Sequence, residues 1–380
     1  MLLSDFDYVL PPHLIAQRPL SSRDASRMLV LDRTSGALAD RNFTDLPSLL
    51  RGDELIVVNN ARVIPARLHG RSISPESHSN QPKLVPKPDL PAPPQPAPSS
   101  SEIEILLSRP LDNATWEALV RPGKKMHVGQ RISLGAGELT AEVIARGNHG
   151  LRTLRFSSHD RTPIFDHLNR LGHLPLPPYI DRSDDPTDQE RYQTVFARHP
   201  GAIAAPTAGL HFTPEILEEL RARGLEICEL TLNVGLGTFQ PIRTESLEDH
   251  VMHAESYEIP ADVAERVNRT KRAGRRILAI GTTVVRALED SASRAATQGL
   301  SETLVPGNFE TSIFITPGFD FRAVDALLTN FHLPRSTLLA LVCAFAGREK
   351  ILAAYHHAVQ AGYRFYSYGD CMFINPSFES

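Results

Sequence analysis

Six short stretches of this chain put chemically able side chains at the ends of regular elements. In "AAPTAGLHFT", Ala204–Thr213, Thr213 is a natural N-cap, Pro214 fits the first helical position and Glu215 complements the positive helix end. Thr207, Gly209 and His211 then fall in a loop feeding a helix N-terminus, where α/β domains bind ligands. An imidazole there is a candidate acid or base, or simply a neighbour of a capped helix. In "LNVGLGTFQPIR", Asn233 closes a strand while Gly235 and Gly237 allow close backbone approach to a flat ligand or a neighbouring strand. The third glycine of a dinucleotide loop is missing and Pro241 stands where its helix should run, so a Rossmann turn is excluded.

In "DHVMHAESYEIP", His250 and His253 are three apart and run into a strand-like segment, a poor spacing for metal ligation, and no metal site is expected. Glu255 paired with His253 is instead a candidate for acid/base work, or part of a surface polar cluster. "AIGTTVVRALE" reads as a strand running into a helix at Thr282 and Thr283, a positive end suited to a carboxylate, with Arg286 one turn in as a planar donor. In "TNFHLPRST" and "YRFYSYGDCMF", His332 precedes a helix capped by Ser336, and Asp370 is a candidate partner for a cation. The tyrosines before Asp370 fit a core or a base-stacking surface.

Elements must hold these loops in place. The 380 residues, 41% hydrophobic and 22% charged, suffice for about two domains. From Thr162 onward, helices and strands alternate in the manner of an α/β domain with a largely parallel sheet or irregular barrel. Residues 1–60, with the apolar strand "ELIVVNN", join it. Residues 61–156 read instead as short alternating strands broken by glycine turns, an inserted antiparallel β-barrel interrupted by a Pro-rich loop at 72–101. The expected division is 1–60, 61–156 and 157–380. The apolar run Leu338–Ala346 is about half the roughly 20 residues a membrane span needs, so it is read as a buried helix. No secretory signal opens the chain. Cys228, Cys343 and Cys371 are odd in number and form no CxxC pair, which favours a reduced cytoplasmic setting.

A net charge of −4 provides no global attraction for a polyanion. Contact with nucleic acid must therefore come from local groups such as Arg121, Lys124 and Lys125 in "RPGKK", or the cations of "RTKRAGRR" at a helix end.

Taken in order, "VVNNARVIPARL", "RPGKK", "RYQTVFA", "APTAGLHFT", "LNVGLGTF", "MHAE", "GTTVVRALE", "TNFHLPRSTLL" and "YRFYSYGDCMFI" closely resemble the S-adenosylmethionine:tRNA ribosyltransferase-isomerase family of queuosine biosynthesis. The resemblance spans nearly the whole chain; the Pro-rich stretch looks like an insertion where the family has a short connection. It implies a barrel-like α/β major domain carrying a small β-barrel. It also implies transfer and isomerisation of the ribosyl group of S-adenosylmethionine onto 7-aminomethyl-7-deazaguanine at the tRNA wobble position, with adenine and methionine released. S-adenosylmethionine is then a substrate, no cofactor is needed, and the expected partners are this substrate and tRNA, with no membrane and a monomeric chain.

Deprotonation beside a sulfonium needs a base, and expulsion of adenine an acid or hydrogen bonds to the ring; His211, Glu255 and His332 are the available groups. Glu255 or Asp370 would face the cationic centres. Thr282, Thr283 and Arg286 would face the methionine carboxylate, with Thr207, Gly209, Asn233, Gly235 and Gly237 lining the substrate. A non-catalytic RNA-binding module would need a stronger positive field, a base-exchanging transglycosylase its zinc cysteines, and a methyltransferase would leave S-adenosylhomocysteine.

Overall fold

The computed structural model describes residues 1–73, 102–158, 160, 162–235 and 244–376. Gly237 and nearly all of the Pro-rich stretch lie outside the described residues. The chain divides into two units, one formed by Met1–Val63 with Leu176–Ser380 and the other by Ile64–Pro175.

The larger unit is built on a nine-stranded sheet. Its order is Gly307–Thr311, Glu255–Ile259, Glu226–Leu232, Leu55–Asn59, Ile277–Ile280, Ala326–Asn330, Cys371–Asn375, Arg27–Asp32 and Leu38–Asn42. The four strands from Glu226 to Asn330 in that order are mutually parallel, while both flanks contain antiparallel pairs. The sheet is thus mixed where the sequence pattern pointed to a largely parallel one.

Leu55–Asn59, Ile277–Ile280, Ala326–Asn330 and Cys371–Asn375 are buried throughout, the mark of strands covered on both faces. Their side chains alternate between two cores. Val57, Ala279, Leu327 and Leu29 face one, which holds the Thr282–Thr297 and Thr337–Ala346 helices; Ile56, Leu278, Leu328 and Val30 face the other, with Phe212 and Leu220. The expected apolar helix is the buried Thr337–Ala346, capped by the Ser336 hydroxyl, which accepts from the Leu339 amide at 3.2 Å.

Several boundaries differ from the sequence reading. The segment 61–69 is two strands, Ala61–Val63 and Arg67–Ile73, because Pro65 has no amide to carry a ladder across. The strand expected in "TSIFITPG" lies earlier, at Gly307–Thr311. The closing strand is only Cys371–Asn375; residues before it form a turn in which Tyr366 takes φ +70°.

The smaller unit is a closed antiparallel barrel. Its ring runs Leu151–Ser158, Thr115–Arg121, Glu102–Pro110, Arg67–Ile73, Arg131–Leu134 and Leu139–Arg146. Every second residue points in, as Ile103, Ile105 and Leu107 do. The helix Ile164–Leu171, read from sequence as part of the α/β unit, belongs here. Phe165 meets Trp116 edge-on at 5.8 Å, and Arg67 and His173 exchange backbone hydrogen bonds of 3.1 and 2.8 Å.

Inside the ring, a Cβ at Gly70 would lie 2.7 Å from Ile132, Leu134 and the Ser133 carbonyl. Gly70→Ala should therefore destabilise the protein by about 1–3 kcal/mol through overpacking, read as a lower denaturant midpoint.

Candidate active site

Because the four central strands run the same way, Asn59, Leu232, Ile280 and Asn330 all end on one edge of the sheet. Cys371–Asn375 runs antiparallel to its neighbour, so the Tyr366–Asp370 turn that precedes it reaches the same edge. A crevice lies there. Ala204–Ala208, Val234, Gly281–Thr283, Thr329–Leu333, Leu338, Tyr179, Tyr366 and Ser367 line it. No Asp, Glu, Lys or Arg is among these lining residues.

Two buried asparagines fix the geometry. Asn59 Oδ1 accepts from the amides of Leu232 and Ala61, both at 3.0 Å, while its Nδ2 donates to the Leu232 carbonyl at 2.9 Å and to Thr283 Oγ1 at 3.4 Å. Asn330 Nδ2 donates to the carbonyls of Tyr366 at 3.0 Å and Asp370 at 3.4 Å. That leaves Asn330 Oδ1 buried without a hydrogen-bond partner. Sequence reasoning singled out neither residue. Their one legible signal is a carboxamide closing an apolar strand, in "LIVVN" and "ALLTN".

Of the sequence candidates, Thr207, Thr282, Thr283 and His332 line the crevice. Gly281, with φ +93°, lets the strand turn directly into the helix that Thr282 begins. His332 Nε2 shares a 2.8 Å hydrogen bond with Thr329 Oγ1, and its main chain is held by the Tyr355 hydroxyl, which accepts from the His332 amide at 2.9 Å. Burial pushes its pKa down to about 3.

His211 is 3% exposed and does not line the crevice. Its Nδ1 lies 2.9 Å from Ser26 Oγ and its ring 5.5 Å from Phe43. Burial lowers its pKa to about 4; the Asn330 side chain opposes that shift, and Arg23 and Arg364 reinforce it. The histidine thus sits behind the wall as a neutral ring. Gly209 serves packing: a Cβ would lie 2.7 Å from the Phe196 ring and 2.8 Å from the Thr194 methyl.

Glu255 and Arg286, expected to face opposite charges of a substrate, face each other. Both are at least 95% buried; the Arg286 Nη1 donates to Glu255 Oε2, and Glu255 Oε1 accepts from the Gly235 amide at 2.9 Å. Arg286 keeps Nε and Nη2 buried without partners. Asn233 donates weakly to Ser256 Oγ at 3.4 Å. Asp370 is no free cation acceptor: its two oxygens accept from the amides of Arg27 at 2.9 Å and Arg364 at 2.8 Å, closing the turn. Burial raises its pKa despite those bonds. Arg121, Lys124 and Lys125 lie in the smaller unit.

Chemically, the crevice offers apolar and aromatic walls from Val234, Leu338, Phe331 and Tyr366, hydroxyls and free amides at a helix start, and one neutral imidazole. Such a site suits a flat heterocycle with a carboxylate-bearing tail.

The chain is similar to known proteins over nearly its whole length. The family described as queuosine biosynthesis protein matches residues 3–374. An S-adenosylmethionine:tRNA ribosyltransferase-isomerase from Solibacter usitatus is 50% identical, with 98% of this chain and 100% of the relative covered. One from Moorella thermoacetica is 48% identical at the same coverage. The crystal structure of an S-adenosylmethionine tRNA ribosyltransferase from Thermotoga maritima is 34% identical, with a TM-score of 0.50 over 98% of this chain and 100% of that one.

Two outcomes follow from the buried charges and rings. Glu255→Gln should cost about 3–5 kcal/mol, since it strands a buried guanidinium, whereas the double replacement Glu255→Met with Arg286→Leu should cost less than the two single changes summed. Denaturation of the wild type, Glu255→Met, Arg286→Leu and the double variant measures the coupling. The histidines give a pH signature. Below the ordinary value of 6.5, unfolded chains protonate both rings, while the fold holds His211 neutral to about 4 and His332 to about 3. Stability should therefore fall as pH drops through that window, by about 1.4 kcal/mol per pH unit for each ring. His211→Gln should remove one proton from the measured uptake on unfolding.

Proposed function

The chain belongs to the queuosine biosynthesis protein family, an enzyme family, and on that premise we propose the specific reaction it performs. It transfers the ribosyl group of S-adenosylmethionine to 7-aminomethyl-7-deazaguanine at the wobble position of tRNA and isomerises it to an epoxycyclopentane. Epoxyqueuosine-tRNA is the product, with adenine and methionine released. S-adenosylmethionine is consumed as a substrate, so no cofactor is required. The observation that carries this reading is a crevice without formal charge at the converging strand ends of a chain matched over residues 3–374.

In this reading the free amides and hydroxyls at Thr282 and Thr283 hold the methionine carboxylate, using the positive helix end. Phe331 and Tyr366 offer their faces to the adenine. His332 is the imidazole on the crevice wall and takes part in proton transfer. Thr329 and Tyr355 hold His332 in place, Asn330 ties the Tyr366–Asp370 turn to its strand end, and the Glu255–Arg286 pair keeps the Gly235 backbone in position. Thr207 also lines the crevice. The three cysteines Cys228, Cys343 and Cys371 are free and buried, which supports a cytoplasmic setting. No helix among the described residues is long and apolar enough to cross a membrane.

Free adenine should appear from S-adenosylmethionine only when tRNA carrying the aminomethyl-deazaguanine is present. S-adenosylhomocysteine in its place would mark a methyltransferase and overturn the reading. His332→Ala should lower kcat by about a hundredfold or more while leaving the affinity for tRNA unchanged, as loss of acid/base function does.

A further inference from the structure

The smaller unit carries a charge pattern that the reaction chemistry does not explain. Two loops at one end of its barrel, 121–130 ("RPGKKMHVGQ") and 145–151 ("ARGNHGL"), contain Arg121, Lys124, Lys125 and Arg146 and not one acidic residue. All four cations are exposed. In a chain of net charge −4 this is a local concentration of positive charge.

The rim is also built. Arg152, 3% exposed, lies beneath both loops and binds their main chains. Its Nε donates to the Met126 carbonyl at 2.9 Å, its Nη1 to the carbonyls of Leu151 at 2.6 Å and Gly147 at 3.4 Å, and its Nη2 to Gly123. Gly123 lies against Gly150, where a Cβ would come within 3.3 Å of the facing Cα, so the loops are in direct contact. Arg146 Nη1 lies 3.2 Å from His127 Nδ1, a second link between the two loops. Among the described residues, acids paired with neighbouring cations sit on the barrel strands. Glu104 is paired in register with Arg121 and lies 3.7 Å from Arg67; Glu142 lies 3.9 Å from Arg131. Lys124, Lys125 and Arg146 have no carboxylate partner among the described residues.

A buried guanidinium spent wholly on main-chain carbonyls is a costly way to hold two loops together. Its effect is to hold exposed cations at fixed spacing, which is what a regularly charged polyanion needs. We propose that this rim is a docking surface for the sugar-phosphate backbone of RNA, here the substrate tRNA, with Arg152 as the residue that positions the contacts. The inference deepens the reading above and rests on it for the identity of the RNA. Phosphate contacts of this kind fix register without reading sequence.

The test is binding of a fluorescent anticodon stem-loop RNA by the full chain, titrated at several salt concentrations. Lys124→Gln with Lys125→Gln should weaken binding about tenfold or more and reduce the slope of log Kd against log salt by about 2; Arg146→Gln, on the other loop, should reduce it by about 1. Unchanged affinity and slope in both variants would overturn the docking surface. Adenine release by the wild-type enzyme is measured in parallel. Release with unchanged RNA binding in the variants sinks the surface alone, whereas salt-sensitive RNA binding without release sinks the reaction and leaves the surface standing.

Discussion

The carboxamide of Asn59 is the interaction on which the crevice depends. With four hydrogen bonds it fastens the end of its own strand to Leu232 on the neighbouring strand, to Ala61 at the next turn, and to Thr283 on the first turn of a helix. No other side chain of similar size offers two acceptor and two donor positions in one plane; aspartate would place a charge among carbonyls and leucine would leave two amides and a carbonyl unpaired. Asn330 repeats the device two strands away, tying its strand end to the Tyr366–Asp370 turn. A parallel sheet delivers loops to one edge, but it does not fix their relative positions to the precision chemistry requires. The two asparagines do that.

Around this frame, formal charge is kept behind the crevice wall. Glu255 is paired with Arg286 and accepts from the Gly235 amide, and Asp370 accepts from two amides; at the opposite edge of the sheet Glu289 accepts from the amides of Arg322, Ala323 and Val324. Each carboxylate holds the backbone of a turn or loop. What remains on the surface of the crevice is dipoles: hydroxyls, free amides and a carboxamide. Such groups are fixed by the fold, cost little reorganisation when charge moves, and act strongly where water is excluded.

This explains which parts of the site could be read from the sequence. Helix starts were legible because capping is local: Thr213, whose hydroxyl accepts from the Ile216 amide at 3.3 Å, and Ser336 each sit directly before the helix they stop from fraying. The barrel was legible in the alternation of strands such as Glu102–Pro110. Pairings across the chain were not. Glu255 and Arg286 are 31 residues apart and Asn59 and Leu232 are 173 apart, so their residue types announced charge and polarity without saying that each already had a partner. The packing at Gly209 was hidden for the same reason: its lack of a side chain is required by Phe196 and Thr194, which no local pattern reveals.

The neutral imidazoles acquire a meaning in the proposed reaction. A sulfonium entering the crevice adds a positive charge near His332, which pushes an already depressed pKa further from protonation. The ring therefore meets the substrate with its lone pair available. Once a proton is removed beside the sulfonium, an ylide-like centre replaces a bare cation, the local field weakens, and protonated imidazole becomes easier to sustain. Later loss of adenine develops negative charge on the heterocycle, which favours returning that proton. In the proposed reaction a group that burial makes a poor base would thus change strength in step with the charge on its substrate, and a wall without fixed carboxylates would let the substrate's own charge control it.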